Sequence, residues 1–305
     1  MEGSMGKAMK VTIGISFFNS EATLEDAVRS VFAQTFKDWE LILIDDGSTD
    51  RSLSIARSIL DRRVSVLRDG RNLGPASRLD QIADLANGEY IARMDADDMM
   101  HPMRIEKQVR WLDARPDVDL LDTALYTIDS RNKPLGIRGC DKFEVTPRHC
   151  IAQGLLNQPS ILGRAEWMRR NRYNAGYKRA EDYELWCRAV AKGDCRFARL
   201  PEPLLFYREE GSIRLRKVLD TQTFMRRAMR LHGFQLIGVG QMWRYVAQSY
   251  LKSAAWILAS ACGVPQVLYH RRSRALSNEE RGAASAAIRD VLRTDVPGMH
   301  PIAEL

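Results

Sequence analysis

Three groups of carboxylates, Asp45-Asp46, Asp95-Ala96-Asp97-Asp98 and Glu181-Asp182, stand along this chain where strands should end. Unpaired like charges repel and resist burial, so a fold that gathers acids at its strand ends must bind a cation there or use them to move protons. The pattern points to a metal-assisted active site.

Around the first two groups the chain alternates between two periodicities. Val11 to Phe17 is a β-rich run, after which Ser20 can cap a helix whose apolar positions Leu24, Ala27, Val28, Val31 and Phe32 recur at helical spacing. Trp39 to Ile44 is a second apolar run, ended by Asp45-Asp46-Gly47-Ser48-Thr49-Asp50 and followed by helix-spaced Leu53, Ile55, Ala56 and Ile59. Arg63 to Leu67 supplies a third strand, Ala76 to Ala86 a helix closed by Asn87-Gly88, and Glu89 to Met94 a fourth strand running into the second acidic group. Strands alternating with helices imply a mostly parallel sheet with helices on both faces, and such sheets bind ligands beyond the carboxyl ends of their strands. With 305 residues and 45% hydrophobic content, the chain buries a substantial core in one large domain or two smaller ones.

Four segments, Gly14-Ile-Ser-Phe-Phe-Asn-Ser20, Glu40-Leu-Ile-Leu-Ile-Asp-Asp-Gly-Ser-Thr-Asp50, Asn72-Leu-Gly-Pro-Ala-Ser-Arg78 and Gly88-Glu-Tyr-Ile-Ala-Arg-Met-Asp-Ala-Asp-Asp98, resemble in order and spacing the family 2 glycosyltransferases of GT-A fold. A lone Asp-x-Asp is a chance event in many proteins; four ordered motifs are specific. The resemblance runs from residue 9 to 210, with Ser16 where many members carry proline. It implies an α/β protein: a single Rossmann-like, mostly parallel sheet flanked by helices, with a C-terminal helical extension. Residues 9–210 form the catalytic domain, 9–100 binding the nucleotide sugar and 101–210 the acceptor. Residues 1–8 read as a tag or disordered N-terminus, Met1 to Gly6 as an expression remnant, and 211–305 as a basic, aromatic helical region.

The implied chemistry is inverting, metal-dependent hexosyl transfer from a nucleoside-diphosphate sugar to an acceptor hydroxyl. The leaving diphosphate gains negative charge, which Mg²⁺ or Mn²⁺ neutralises, and both cations prefer carboxylate oxygens. In a strand-like stretch residues i and i+2 point the same way, so Asp95 and Asp97 face one pocket. By resemblance Asp97 is a metal ligand and Asp95 meets ribose or metal, with Ala96 between them at the nucleotide sugar. Asp45 or Asp46 would accept the nucleobase imino N–H, which favours UDP, while the other caps the next helix. Ser16 stands near the base or ribose, and Arg71 and Arg78 near the base or diphosphate, a role that suits a guanidinium. On the acceptor side, Gln158-Pro159-Ser160 and the segment Tyr177 to Arg188 resemble the stretch in which the aspartate of a Glu-Asp pair starts a helix beneath the sugar. Asp182 is then the catalytic base, Glu181 its neighbour and orienter, and Trp186 either packs that helix or meets the acceptor. Many relatives carry Arg-x-His near residue 208; here the sequence reads Arg208-Glu209-Glu210, so Arg208 or Glu210 would have to substitute for the histidine.

The formal charge of +7 is lopsided. From Gly211 onward there are 14 Lys/Arg against 6 Asp/Glu, whereas residues 1–210 are nearly balanced. Trp243, Tyr245, Tyr250, Trp256 and Tyr269 mingle there with Arg244, Lys252, Arg271, Arg272 and Arg274. The apolar stretch Ala254 to Cys262 is too short to span a bilayer, which takes about 20 residues. The expectation is a cytoplasmic protein attached peripherally to an anionic membrane face, where a saccharide or lipid-linked saccharide acceptor of surface-polysaccharide assembly is presented; internal packing and a homo-oligomer are the alternatives. Five cysteines, an odd number without a Cys-x-x-Cys pair, read as reduced thiols and argue against a disulfide framework or structural zinc. A nicotinamide dehydrogenase would need Gly-x-Gly-x-x-Gly where Ser16-Phe-Phe-Asn-Ser-Glu21 stands, and a nucleic-acid binder does not account for the acids. A nucleotide-sugar-binding protein without transferase activity, or a sugar nucleotidyltransferase, is the competing reading.

Overall fold

Continuous apolar runs such as Val11–Phe17 suit strands buried on both faces, and they become the centre of a ten-stranded sheet. The computed structural model describes residues 9–140, 143–209, 215–262 and 273–299. The chain begins β1 (Val11–Phe17), α1 (Leu24–Phe32), β2 (Trp39–Asp45), α2 (Ser52–Ser58), β3 (Val64–Arg68), α3 (Pro75–Leu85), β4 (Tyr90–Arg93), with the strands parallel in the order β3-β2-β1-β4. It continues β5 (Met99–Met100), α4 (Arg104–Asp113), β6 (Leu120–Ile128), β7 (Pro134–Arg138), α5 (Pro147–Gln153), a 3₁₀ turn (Gln158–Ser160), β8 (Leu162–Arg164), α6 (Ala165–Arg170), α7 (Glu181–Ala191) and β9 (Phe197–Arg208). These strands extend the sheet past β4: β8 is antiparallel to β4 and β6, while β9 runs parallel to β6 and antiparallel to β5. The expected α/β sheet with flanking helices is therefore present, its parallel half first and its mixed half second.

Val11, Ile13 and Ile15 of β1 are fully buried with Leu41 and Leu43 of β2, each such side chain contributing about 1.5–3 kcal/mol. The predicted stripe of α1, Leu24, Ala27, Val28 and Val31, packs against them. Ser20 does not cap that helix through its side chain. The helix begins at Leu24, the Ser20 hydroxyl donates to the Phe18 carbonyl, and only the Ser20 carbonyl serves the helix, accepting the Thr23 and Leu24 N–H groups.

The tail is not one appendage. A long hairpin, α8 (Leu215–Ile237) and α9 (Val239–Ala261), packs through α8 on α5 and α7, whereas β10 (Arg274–Ala275) joins β7 and α10 (Asn278–Leu292) covers Tyr126, Ile128, Ile137 and Phe206 on the mixed half. Val296 and Met299 reach the main core, and buried Arg29 donates to the Thr294 carbonyl. Residues Glu210, Gly211, Tyr269, Arg271 and Arg272, named from the sequence above, lie outside the described residues, as do residues 1–8.

Candidate active site

The parallel register sets the first acidic group beside the second. Phe17 pairs with Asp45, the Asp46 N–H donates to the Phe17 carbonyl, and β4 lies on the other side of β1, where Met94 N–H donates to the Gly14 carbonyl. Both groups thus leave the sheet at its carboxyl edge, from the two strands that flank β1, the place where open α/β sheets bind ligands.

Asp45 and Asp46 behave differently there. Asp46 accepts the Leu73 and Gly74 N–H groups and the Nε of Arg78 at 2.8 Å, while Arg78, 1% exposed, also holds Asp69 and the Arg71 carbonyl. Burial opposes the ionisation of Arg78, but its hydrogen bond to Asp69 outweighs this and raises its pKa, and the same bond holds Asp69 below the ordinary carboxylate range. Gly47, at φ +83°, lets the Asp45–Asp50 turn lie against the Arg71–Asn72 backbone, which a Cβ would approach to 3.3 Å. The Asn72–Arg78 loop is therefore strapped to the end of β2. Arg78 is committed to that strap through Asp46, Asp69 and the Arg71 carbonyl. Arg71, by contrast, is exposed. Asp45 is fully buried, accepts the Ser48 N–H, and has its second oxygen 3.3 Å from Arg68 Nε without a hydrogen bond. Ser16 stands one residue before the end of β1, half-buried opposite Ile44.

The Asp95–Asp98 stretch is a turn rather than a strand, closed by Asp98 N–H to the Asp95 carbonyl. Its carboxylates converge because the chain reverses, which brings in Asp98 as well: oxygens of Asp95, Asp97 and Asp98 lie within 4.8 Å of one another. The backbone is held from outside. Thr23 Oγ1 donates to the carbonyl of buried Ala96, and Arg208 Nε to the carbonyl of Asp97. Arg208 also holds the Asp129 carbonyl and Asn132 Oδ1, so it acts as a brace. Asp98 is 1% exposed; Oδ1 accepts the Arg208 N–H and buried Oδ2 has no hydrogen-bond partner. Burial, then the charges of Asp97 and Asp95, push its carboxyl well above the usual range. Three clustered carboxylates, one with a buried unpartnered oxygen, fit a hard divalent cation.

Arg93 joins this turn to the third acidic group. It is 7% exposed and donates Nη2 to Asp95 Oδ1 at 2.8 Å, and its Nε and Nη1 are buried without hydrogen-bond partners. It also interacts electrostatically with Glu181, Asp182 and Tyr173. Asp182 opens α7 after Ala180, whose left-handed φ of +53° turns the chain into the helix, and its Oδ1 accepts the Tyr183 N–H. Burial raises the carboxyl of Asp182, the Asp95 charge adds to this, and Arg93 opposes it. Glu181 is raised by burial and by Asp182. Tyr173, pushed up to about 12 by burial, accepts from Gln158 Nε2. The second and third acidic groups thus share one electrostatic field with Arg93, whose Nε and Nη1 make no hydrogen bond. Trp186 is 2% exposed and packs with Trp167 and Phe197, so its place is in the core and not against an acceptor.

Beside this edge a cleft of about 350 Å³ opens between the Asn72–Ser77 loop and Ala175, Tyr177 and Lys178. Arg93 and Tyr173 are the site residues that pattern reading did not single out for roles. The signal for Arg93 was present as a charged residue at the end of an otherwise apolar strand, Tyr90–Arg93.

Comparison with known proteins finds relatives in both sequence and fold. The sequence model of Glycosyl transferase family 2 matches residues 12–177. EpsE of Bacillus subtilis (strain 168), itself only provisionally assigned as a glycosyltransferase, is 33% identical over 218 residues, which cover 68% of this chain and 76% of EpsE. Among solved structures, S. aureus TarS 1–349 in complex with UDP-GlcNAc superposes with a TM-score of 0.62 at 17% identity, covering 94% of this chain and 81% of that one; of a longer TarS chain 43% is covered. The mannosyltransferase PcManGT from Pyrobaculum calidifontis, in complex with GDP-Man and Mn²⁺, gives a TM-score of 0.56 at 14% identity over 92% of this chain and 85% of that one.

Proposed function

The chain belongs to glycosyl transferase family 2, and from that premise we propose that it is an inverting, cation-dependent hexosyltransferase that carries a sugar from a UDP-linked donor to the hydroxyl of a lipid-linked saccharide. One observation carries the reading: Arg93 binds Asp95 and lies in the field of the Glu181-Asp182 pair, in a site where carboxylate and guanidinium atoms are buried without partners. A protein seldom leaves buried polar atoms unpaired unless a ligand completes them.

Asp45, through the oxygen that lacks a hydrogen bond, accepts the imino N–H of the base, and Ser16 and the exposed Arg71 border the nucleotide. Asp97, Asp98 and Asp95 would hold Mg²⁺ or Mn²⁺, which when bound neutralises the charge gathering on the departing diphosphate. Arg93 keeps Asp95 oriented and turns Nε and Nη1 toward the transferred sugar. Asp182 takes the proton from the acceptor hydroxyl as that oxygen attacks the anomeric carbon opposite the diphosphate, inverting the centre. Its raised pKa makes it a better base than an ordinary aspartate while Arg93 favours its ionised form.

The test is a thermal-shift screen of UDP-, GDP- and dTDP-sugars with Mn²⁺, followed by nucleotide-release assays. Stabilisation by a UDP-sugar, by about 2.7 kcal/mol at a hundredfold excess over Kd, supports the donor assignment. Stabilisation by GDP- or dTDP-sugars alone transfers the assignment to that base, and binding without nucleotide release under any acceptor contradicts transferase activity.

A further inference from the structure

The α8–α9 hairpin buries a charge and leaves an apolar face outside. Where the two helices meet, Arg226 is 8% exposed and donates from Nη1 to Ser249 Oγ (3.2 Å) and Ser253 Oγ (3.0 Å), and from Nη2 to Thr223 Oγ1. Ser249 in turn donates to Gln222 Oε1 at 2.8 Å. Among the described residues no carboxylate pairs with Arg226. The outward face of α9 is apolar instead: Trp243, Leu251, Ile257 and Leu258 are 54, 70, 47 and 66% exposed, and at its border half-exposed Tyr250 stacks on Arg226 and accepts from Arg230 of α8.

At about 100° per residue these five residues of α9, with Ala247, Ala254 and Ala261, occupy a stripe of about 120° along it. The buried residues Met242, Val246, Ser249, Ser253 and Trp256 occupy a second face, and Arg244, Gln248 and Lys252 run across the remaining one, with Arg244 at the border of the apolar stripe. Leu231 and Phe234 of α8 are also about half exposed. With Arg226 of α8 held among hydroxyls beside buried Met242, Val246 and Trp256, α9 still turns Trp243, Leu251, Ile257 and Leu258 outward, an apolar face suited to a low-dielectric neighbour. No helix among the described residues is long and apolar enough to cross a membrane, so that neighbour is met at its surface. The charge agrees: residues 215–262 hold seven Lys/Arg and one carboxylate, Asp220.

We propose that the outward face of α9, with Leu231 and Phe234, lies in the headgroup layer of an anionic lipid membrane, Arg244 meeting lipid phosphates and Trp243 and Tyr250 sitting at the polar boundary. The hairpin is tied to the candidate site: His232 Nε2 lies 3.1 Å from Glu184 on α7, the helix that Asp182 opens, and Arg227 holds the Gly176 carbonyl beside the cleft. A docked hairpin therefore sets the acceptor side of the cleft next to the bilayer. This rests on the lipid-linked acceptor proposed above for its purpose, but not for its test.

The test is flotation of the full chain with vesicles of neutral phosphatidylcholine, with and without phosphatidylglycerol, alongside its solution mass and nucleotide release from UDP-sugars with water or a soluble sugar as acceptor. Binding to the anionic vesicles, falling with salt and reduced about tenfold or more in the Leu251→Glu/Leu258→Glu variant, is expected. The variant should keep its melting temperature and its nucleotide release. Absent flotation, flotation undiminished in the variant, or a wild-type dimer that the variant splits would each overturn the proposal, the last in favour of a second copy on this face. Loss of nucleotide release in both proteins would instead strike the transferase reading.

Discussion

The strap at Asp46 and the turn at Asp95–Asp98 are both acidic, both leave the carboxyl edge of the same sheet, and differ in one respect. Around Asp46 every charge is answered from within the chain, by two backbone N–H groups and by Arg78, which Asp69 also holds. Around Asp98 and Arg93, the described residues leave buried atoms of both signs unanswered. A charge that the fold itself completes is architecture, and a charge left incomplete at a strand end is a place kept for something else. Equal composition therefore conceals opposite roles.

The largest expected effect lies on the incomplete side. Asp182→Asn keeps size and packing but removes the base, and nucleotide release coupled to acceptor should fall about 10²–10⁴-fold with donor binding unchanged in a titration. An equal loss of donor affinity would place Asp182 in binding instead. On the complete side, Arg78→Met should cost about 3–5 kcal/mol of unfolding free energy, because it strands Asp46 in the interior. Denaturant midpoints measure it, and folded Arg78→Met that retains full stability but loses donor affinity would return Arg78 to the phosphate role.

Asp98→Asn has a smaller effect of opposite sign. It removes a buried charge set against two others, so the metal-free protein should gain about 1–3 kcal/mol while its melting temperature stops responding to Mn²⁺. Smallest is the pH dependence. A carboxyl raised in the folded state binds its proton more tightly there than in the unfolded chain, so Asp98 favours folding below its ordinary value of 3.8 and ceases to as pH climbs through its folded value. Stabilisation by Mn²⁺ should accordingly be greater at neutral pH than in mild acid; a pH-independent response would remove Asp98 from the cation site.

Much of this was legible in the sequence because it depends on local pattern. The runs Val11–Phe17 and Trp39–Ile44, the helical stripe Leu24–Val31 and the acids at strand ends follow from periodicities that residues impose on their own neighbourhood. What escaped depends on partners distant in sequence. Whether Arg78 touches phosphate or Asp46 is decided by a contact across 32 residues, and Trp186 is buried because Trp167 and Phe197 arrive from other elements. The Asp95–Asp98 turn was read as a strand because period-two spacing also sets Asp95 and Asp97 side by side. The tail read as one helical region because nothing local in Asn278–Leu292 announces that it returns to cover Phe206 and Tyr126.

The central claim is that the acids of residues 95–98 bind a divalent cation on one side of Arg93 while Asp182 works on the other. Anomalous diffraction from crystals soaked with Mn²⁺ and UDP tests it directly. The account predicts a single strong peak among the carboxylates of Asp95, Asp97 and Asp98, bridging to the diphosphate, with the Asp182 carboxylate open to the same cleft. Bound UDP with no manganese at those carboxylates, or with Asp182 facing away from the cleft, would contradict it.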